Sequence, residues 1–99
     1  MTAILVRHLR LSKPVDDIAA EVGRTFPAAF RAQPGFRRYY LSKVGDREAD
    51  VVMVWDSIED AERAANAIGQ TTFGEVIAPH LAGDEQPRLG VAVAEFSAD

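Results

Sequence analysis

The chain contains no cysteine and only two histidines among its 99 residues. Without cysteine there is no disulfide framework, no thiolate nucleophile, no iron–sulfur cluster and no cysteine-based zinc site. The two histidines, His8 and His80, are far apart in the sequence and have no carboxylate at ligand spacing. We therefore expect no metal site.

Basic residues are too few for a nucleic-acid-binding surface. The chain has 11 lysines and arginines against 15 acidic residues, a net charge of −4, whereas phosphate neutralisation needs a concentrated basic surface. The run Arg37-Arg38-Tyr39-Tyr40 could suggest an RNA-binding platform, but the strand Val51–Trp55 lacks the aromatic motif of such platforms. We therefore expect no nucleic-acid partner.

Long apolar runs are also absent. No stretch approaches the roughly 20 apolar residues that a membrane span requires. The apolar run near the N-terminus is four residues long, Ala3–Val6, which is too short for a signal peptide. We therefore expect one domain, residues 1–99, located in the cytoplasm and without a membrane partner.

Strand and helix signals occur in the order β-α-β-β-α-β. The predicted strands are Ala3–Leu11, Phe36–Val44, Asp50–Trp55 and Arg88–Phe96; the predicted helices run from Val15 to about Ala32 and from Ser57 to about Ile68, followed by a helical piece over Thr71–Leu81 and an exposed loop over Ala82–Pro87. Pro27 predicts a kink or break of the first helix near Arg24–Phe26. The order predicts an α+β, ferredoxin-like fold with both helices on one face of a four-stranded antiparallel sheet.

The segment Val51–Trp55 is apolar at every position, and Val91–Ala94 is similar. Strands of this kind must be covered on both faces. The helices can cover only one face, so we expect a second copy to cover the other. Burying some 500 Å² of apolar surface per subunit is worth on the order of 10 kcal/mol before association costs. The predicted assembly is a homodimeric α+β barrel with a cavity between the two sheets.

Four features carry a resemblance to a known family. They are the Pro-Gly-Phe turn at 34–36, an apolar strand ending at Trp55, the helix start Ser57-Ile-Glu-Asp-Ala-Glu62, and Phe73 in a later helical turn. In these the chain resembles the antibiotic biosynthesis monooxygenase superfamily of dimeric α+β barrels. The resemblance implies a cofactor-independent monooxygenase acting on an aromatic, polyketide-like or quinol substrate. Other members of the superfamily degrade haem or isomerise lactones.

Haem degradation is not expected, because the family's haem-binding residues do not match. Alignment with haem-degrading relatives places Arg7, Ala64 and Ile77 where they have an asparagine, a tryptophan and a proximal histidine. His80 lies one turn beyond the expected ligand position. We therefore expect no cofactor.

For an oxygenase, the resemblance implies aromatic walls and groups that hold a phenolate or polarise a carbonyl. The predicted catalytic residues are His8 and Arg38. The predicted substrate-binding residues are Arg7, Tyr39, Tyr40, Trp55 and Asn66. Because Tyr39 and Tyr40 alternate along a strand, only one of them can face the barrel.

A non-catalytic protein of the same fold is the competing hypothesis. It would be a ligand-binding or structural dimer whose cavity is filled by its own side chains. Arginine, histidine, tyrosine and asparagine converging on an open pocket would favour an enzyme. A wall of valine, leucine and methionine would favour the structural dimer.

Overall fold

The computed structural model describes residues 1–83 and 85–99. In chain order the elements are β1 (Ala3–Arg10), α1 (Val15–Arg31), β2 (Phe36–Lys43), β3 (Glu48–Trp55), α2 (Ile58–Ile68), a π-helical turn (Phe73–Ile77), a 3₁₀ turn (Ala78–His80) and β4 (Arg88–Val91). The predicted order of strands and helices is therefore confirmed. The predicted loop Ala82–Pro87 includes Asp84, which lies outside the described residues.

The four strands form one antiparallel sheet in the order β2-β3-β1-β4. Ala3 of β1 lies opposite Trp55 of β3 and Val91 of β4, and Tyr39 of β2 lies opposite Met53 of β3. Successive residues of a strand point to opposite faces. The register therefore assigns one set of alternate residues to the helices and the other set to the open face of the sheet. This is the ferredoxin-like arrangement that the sequence predicts.

The hydrophobic core lies between the helices and one face of the sheet. Helix α1 contributes one apolar side chain per turn, at the spacing of an amphipathic helix. Its buried residues are Val15, Ile18, Val22, Phe26 and Phe30. The sheet contributes Leu9, Val51 and Trp55 among others.

The first helix continues through Pro27, so the chain does not break near Arg24–Phe26. The alternative expectation, a kink at this place, stays a prediction. Proline removes one helical hydrogen bond and crowds the preceding turn, at a cost of about 3 kcal/mol. Phe26 and Phe30 on either side of it are both buried in the core. Burial of two phenylalanines stabilises the helix by about 3–6 kcal/mol, enough to offset the proline.

The last strand is shorter than predicted, because it ends at Val91 instead of Phe96. Its neighbour in the sheet is β1, which begins at Ala3. After one further hydrogen bond, from the Ala92 amide to the Thr2 carbonyl, no partner strand continues among the residues that the structure describes. Residues 92–96 therefore extend beyond the sheet, and Val93 and Phe96 are 89% and 96% exposed.

The Pro34-Gly35 turn joins α1 to β2 and also fixes the approach to α2. Gly35 has φ +80°, in the left-handed region that favours glycine. A Cβ there would overlap the side chain of Asp60. The Gly35 carbonyl accepts a hydrogen bond of 2.8 Å from the Asp56 amide. The turn thus holds the end of β3 beside the start of β2.

The face of the sheet opposite the helices is uncovered in the single chain. Its apolar part, which we call the open face, consists of Ile4, Val6, Tyr40, Val52 and Val54. Val6 is 40% and Tyr40 49% exposed. Within residues 1–83 and 85–99, no helix has the length and apolar character needed to cross a membrane.

Candidate functional site

A cavity of about 200 Å³ lies between the sheet and the helices. Its floor is formed by β1, β2 and β3, its walls by α1 and α2, and one end by the π-helical turn and the residue before β4. The lining residues are Leu5, Arg7, Phe26, Phe30, Tyr39, Val51, Met53, Trp55, Ala61, Ala64, Ala65, Ile68, Gly69, Thr72, Phe73 and Pro87. The cavity is thus contained within one chain and lies on the helix side of the sheet. The cavity between two sheets stays a prediction, because it requires a second copy.

The cavity exists because α2 presents short side chains to the sheet. Three of the α2 residues in the lining are alanines, Ala61, Ala64 and Ala65. Side chains of that length cannot fill the space between a helix and a sheet at normal packing density. Helix α2 is held in place at its start by Ser57, whose Oγ accepts a hydrogen bond of 3.1 Å from the Asp60 amide. Helix α2 therefore forms a capped wall that leaves a gap over the sheet.

Trp55 is the most buried aromatic residue of the lining, at 1% exposure. Its ring packs against Phe36 with a centroid distance of 5.3 Å and against Phe30 at 6.2 Å. Its Nε1 is buried and has no hydrogen-bond partner among the described residues. A buried N–H group without a partner costs about 1–3 kcal/mol. The unpaired donor therefore belongs to a residue that lines the cavity.

Arg7 is the one residue with a formal charge among the described lining residues. It projects from β1 on the helix side of the sheet, opposite Val51. Its guanidinium carbon lies 4.1 Å from the centroid of the Phe73 ring, which is a cation–π contact. The contact fixes a positive charge at the edge of an otherwise apolar cavity. Such a charge can stabilise an anion that forms on a bound molecule.

Tyr39 is the tyrosine that lines this cavity, whereas Tyr40 lies on the open face of the sheet. Which of the two faces a barrel formed with a second copy stays a prediction. Its ring lies 5.6 Å from that of Phe26 and 5.3 Å from that of Phe30. Burial raises the pKa of the Tyr39 hydroxyl well above its ordinary value. The phenol is therefore neutral at physiological pH, and it can act as a polar wall but not as a base.

His8 lies on the other side of the sheet, away from the cavity. Its Nδ1–H donates to Asp50 Oδ1 at 2.7 Å, and its Nε2 is 3.9 Å from Glu48 Oε2. The hydrogen bond with Asp50, together with the negative charges of Glu85, Asp50 and Glu48, raises the pKa of His8. This histidine has carboxylate partners from β3 in place of a ligand. Its predicted catalytic role would require a site completed by a second copy.

Arg38 and Tyr40 are also outside the cavity. The Arg38 Nη1 donates a hydrogen bond of 3.2 Å to the Tyr40 hydroxyl, and both side chains are exposed. They line a wider groove of about 390 Å³ between β2 and α1. Asn66 is exposed on α2 and is absent from the cavity lining. The structure therefore brings together Arg7, Tyr39 and Trp55, and separates the other predicted site residues from them.

Most of the cavity wall was not predicted as a site from the sequence. The residues missed include Phe26, Phe30, Met53, Phe73 and the alanines of α2. The alanine stripe was a usable signal, because a helix with alanines on its buried side leaves a gap over a sheet. The described residues contain no group of three or more histidine, aspartate or glutamate side chains that could hold a metal ion.

Comparison with known proteins finds similar structures but no similar sequences. No protein-family model matches the chain, and no curated protein matches it significantly in sequence. Solved structures do match. SnoaB, a cofactor-independent oxygenase from Streptomyces nogalater, has a TM-score of 0.72 and 19% identity, covering 98% of this chain and 96% of its own.

Two other structures with this fold contain different kinds of bound molecule. The monooxygenase ActVA-Orf6 of Streptomyces coelicolor, in complex with nanaomycin D, has a TM-score of 0.73 and 12% identity, covering 98% of this chain and 92% of its own. A variant of MhuD with two manganese protoporphyrin IX molecules per active site has a TM-score of 0.73 and 16% identity, covering 97% and 99%. The chain therefore has the fold of the antibiotic biosynthesis monooxygenase superfamily, as the sequence resemblance predicted.

Proposed function

We propose that the chain is a cofactor-independent monooxygenase that binds an electron-rich aromatic molecule in the cavity between sheet and helices. The observation that carries this proposal is the buried Trp55 Nε1, a donor without a partner among the described residues, on a residue lining an apolar cavity. Oxygenases of the same fold, SnoaB and ActVA-Orf6, support the choice of reaction class.

In this reaction the aromatic substrate itself supplies the electrons. A phenol such as 1-naphthol reacts with O₂ to give 1,4-naphthoquinone and water: one oxygen atom enters the ring and the other leaves as water. The first step is transfer of the phenolic proton to solvent water as the substrate enters the cavity, since the described lining residues include no carboxylate or imidazole that could accept it. The resulting phenolate has an electron-rich ring. The Arg7 guanidinium and the Trp55 N–H would stabilise the resulting phenolate oxygen. The apolar walls would exclude water from the reacting carbon.

Oxygen uptake tests the proposal and identifies the cavity involved. 1-Naphthol is a suitable substrate, with quinone formation followed by absorbance. We expect Trp55→Phe and Arg7→Gln to lower the rate by about ten-fold or more, since one donor to a developing oxyanion is typically worth 10²–10³. His8→Ala and Arg38→Ala examine the alternative cavity between two sheets. Loss of activity in that second pair alone would refute the intramolecular site.

A non-catalytic ligand-binding protein is the second candidate, and one observation favours it. Among the described lining residues, Arg7, Tyr39, Trp55 and Thr72 are the only ones with polar side-chain groups, and the Tyr39 phenol is neutral at physiological pH. A cavity without a general base can bind a phenol without activating it. Binding of 1-naphthol without any oxygen uptake would support this candidate over the enzyme.

We also propose that the working unit is a homodimer joined through the open face. The sheet exposes Val6 and Tyr40 there, and the segment after β4 exposes Val93 and Phe96. A second copy laid across the open face would cover these groups. Covering some 500 Å² per subunit contributes on the order of 10 kcal/mol before association costs.

A further inference from the structure

The size of the cavity between sheet and helices restricts what it can bind. Its volume is about 200 Å³, below the range of about 300–1,000 Å³ typical of sites for drug-sized ligands. An apolar cavity of about 150 Å³ is known to accommodate a single benzene molecule. The present cavity is larger than that by about the space of one further fused ring.

The cavity is bounded by a helix, by the sheet and by an aromatic cluster. Ala64, 2% exposed, faces the floor from the middle of α2. Met53 lies on the floor of the sheet, and Trp55 closes the inner end against Phe30 and Phe36. A gap between an alanine-faced helix and a sheet, which we call the slot, is bounded on two opposite sides and so suits a planar ring system. Its mouth lies near the exposed residues Ala65 and Pro87.

We propose that the cavity selects planar aromatic ligands of one or two fused rings and gives no further affinity for a third linear ring. This inference rests on the proposed function, since it assumes that the cavity is the ligand site. Two rings fit the slot with the ligand oxygen near Trp55. A third ring must project past Ala65 and Pro87 into water, or displace Met53. In the first case it adds no buried surface, and in the second it strains the core.

Calorimetric titration with phenol, 2-naphthol and 2-anthrol tests the proposal, because the three molecules carry one hydroxyl on one, two and three linear rings. The sparingly soluble 2-anthrol is placed in the cell and titrated with protein. We expect the second ring to tighten binding by about ten-fold or more, the effect of adding one well-fitting apolar group to a hydrophobic pocket. The third ring is expected to add less than the second.

Two variants should change the size limit in opposite directions. Ala64→Leu fills the slot and should weaken 2-naphthol binding by about ten-fold or more. Its matched control is Ala67→Leu, the same change on an exposed position of α2, which should leave binding unchanged. Met53→Ala enlarges the floor and should shift the preference towards 2-anthrol. This variant carries the test if Ala64→Leu fails to fold.

The outcomes separate the size limit from the proposed function. A gain on adding the third ring that equals or exceeds the gain on adding the second would overturn the size limit and leave the ligand site intact. An unchanged preference in a folded Met53→Ala protein would also overturn it. Binding of none of the three molecules would refute both the size limit and the proposed ligand site.

Discussion

Removing the indole N–H of Trp55 is the most direct test of the proposed ligand site. In Trp55→Phe the protein loses a buried donor that has no partner among the described residues, which restores about 1–3 kcal/mol of stability. It also loses part of an aromatic surface packed on Phe30 and Phe36, at a cost of about 1–2 kcal/mol. These effects oppose each other, so the free energy of unfolding should change by less than about 2 kcal/mol, against a loss of about 3–5 kcal/mol for Trp55→Ala.

Ligand binding should respond much more strongly than stability. A phenol oxygen held by the Trp55 N–H would lose its donor in Trp55→Phe and remain buried. Leaving a buried acceptor unpaired costs about 1–3 kcal/mol, or about 5- to 150-fold in Kd. A ligand of the same shape without the hydroxyl has no such contact to lose. For 2-methylnaphthalene we therefore expect similar affinities in the wild type and the variant.

The assay combines urea unfolding with calorimetric titration of both ligands into both proteins. The expected pattern is a near-normal unfolding midpoint, weakened binding of 2-naphthol and unchanged binding of 2-methylnaphthalene. If the variant is equally stable and binds both ligands as tightly as the wild type, the Trp55 N–H does not contact a ligand. The proposed orientation of the substrate would then be refuted.

Three further predictions concern assembly, haem and pH. Sedimentation equilibrium at micromolar concentration should give a dimer, and Val52→Lys on the open face should give a monomer, because a charge in an apolar interface is costly; a wild-type monomer would contradict the proposed assembly. Titration with hemin should give no stoichiometric Soret shift of imidazole ligation, and a shift that disappears in His80→Ala would contradict this. The pKa of His8 in the folded protein is raised above its ordinary value of 6.5. Protonated His8 therefore contributes its full stabilisation at pH values below 6.5. This contribution is lost as the pH rises through the higher pKa of the folded state. Urea unfolding midpoints should show this loss above pH 6.5 in the wild type and a smaller loss in Asp50→Asn; equal pH profiles would contradict the pairing.

The elements of the fold were largely predictable, because the signals for them are local. Apolar spacing located α1 and α2 to within a few residues, and Pro34-Gly35 marked the turn before β2. The errors have non-local causes. Pro27 is tolerated because neighbouring phenylalanines are anchored in the core, and β4 ends where its partner strand begins.

The candidate site was predictable only in part. Arg7, Tyr39 and Trp55 were identified as substrate-binding candidates, and all three line the cavity. His8 and Arg38 were selected as cations on buried strands, for a cavity between two sheets. They lie on the face of the sheet opposite the helices, and their catalytic roles stay predictions. Alternation shows which residues of one strand share a face. It does not show which face the helices cover or which acids on a neighbouring strand lie within reach.

By itself the sequence determined the order of the elements, the apolar character of both sheet faces and the absence of thiol chemistry, because these depend on residue type and on spacing along one segment. Only the tertiary structure decided where the cavity lies, since the gap depends on the alanines of α2 facing Met53 and Trp55 across the core. The pairing of His8 with Asp50 was decided in the same way, by strand register between residues 42 positions apart. Contacts between distant segments follow from packing and register, which no single segment encodes.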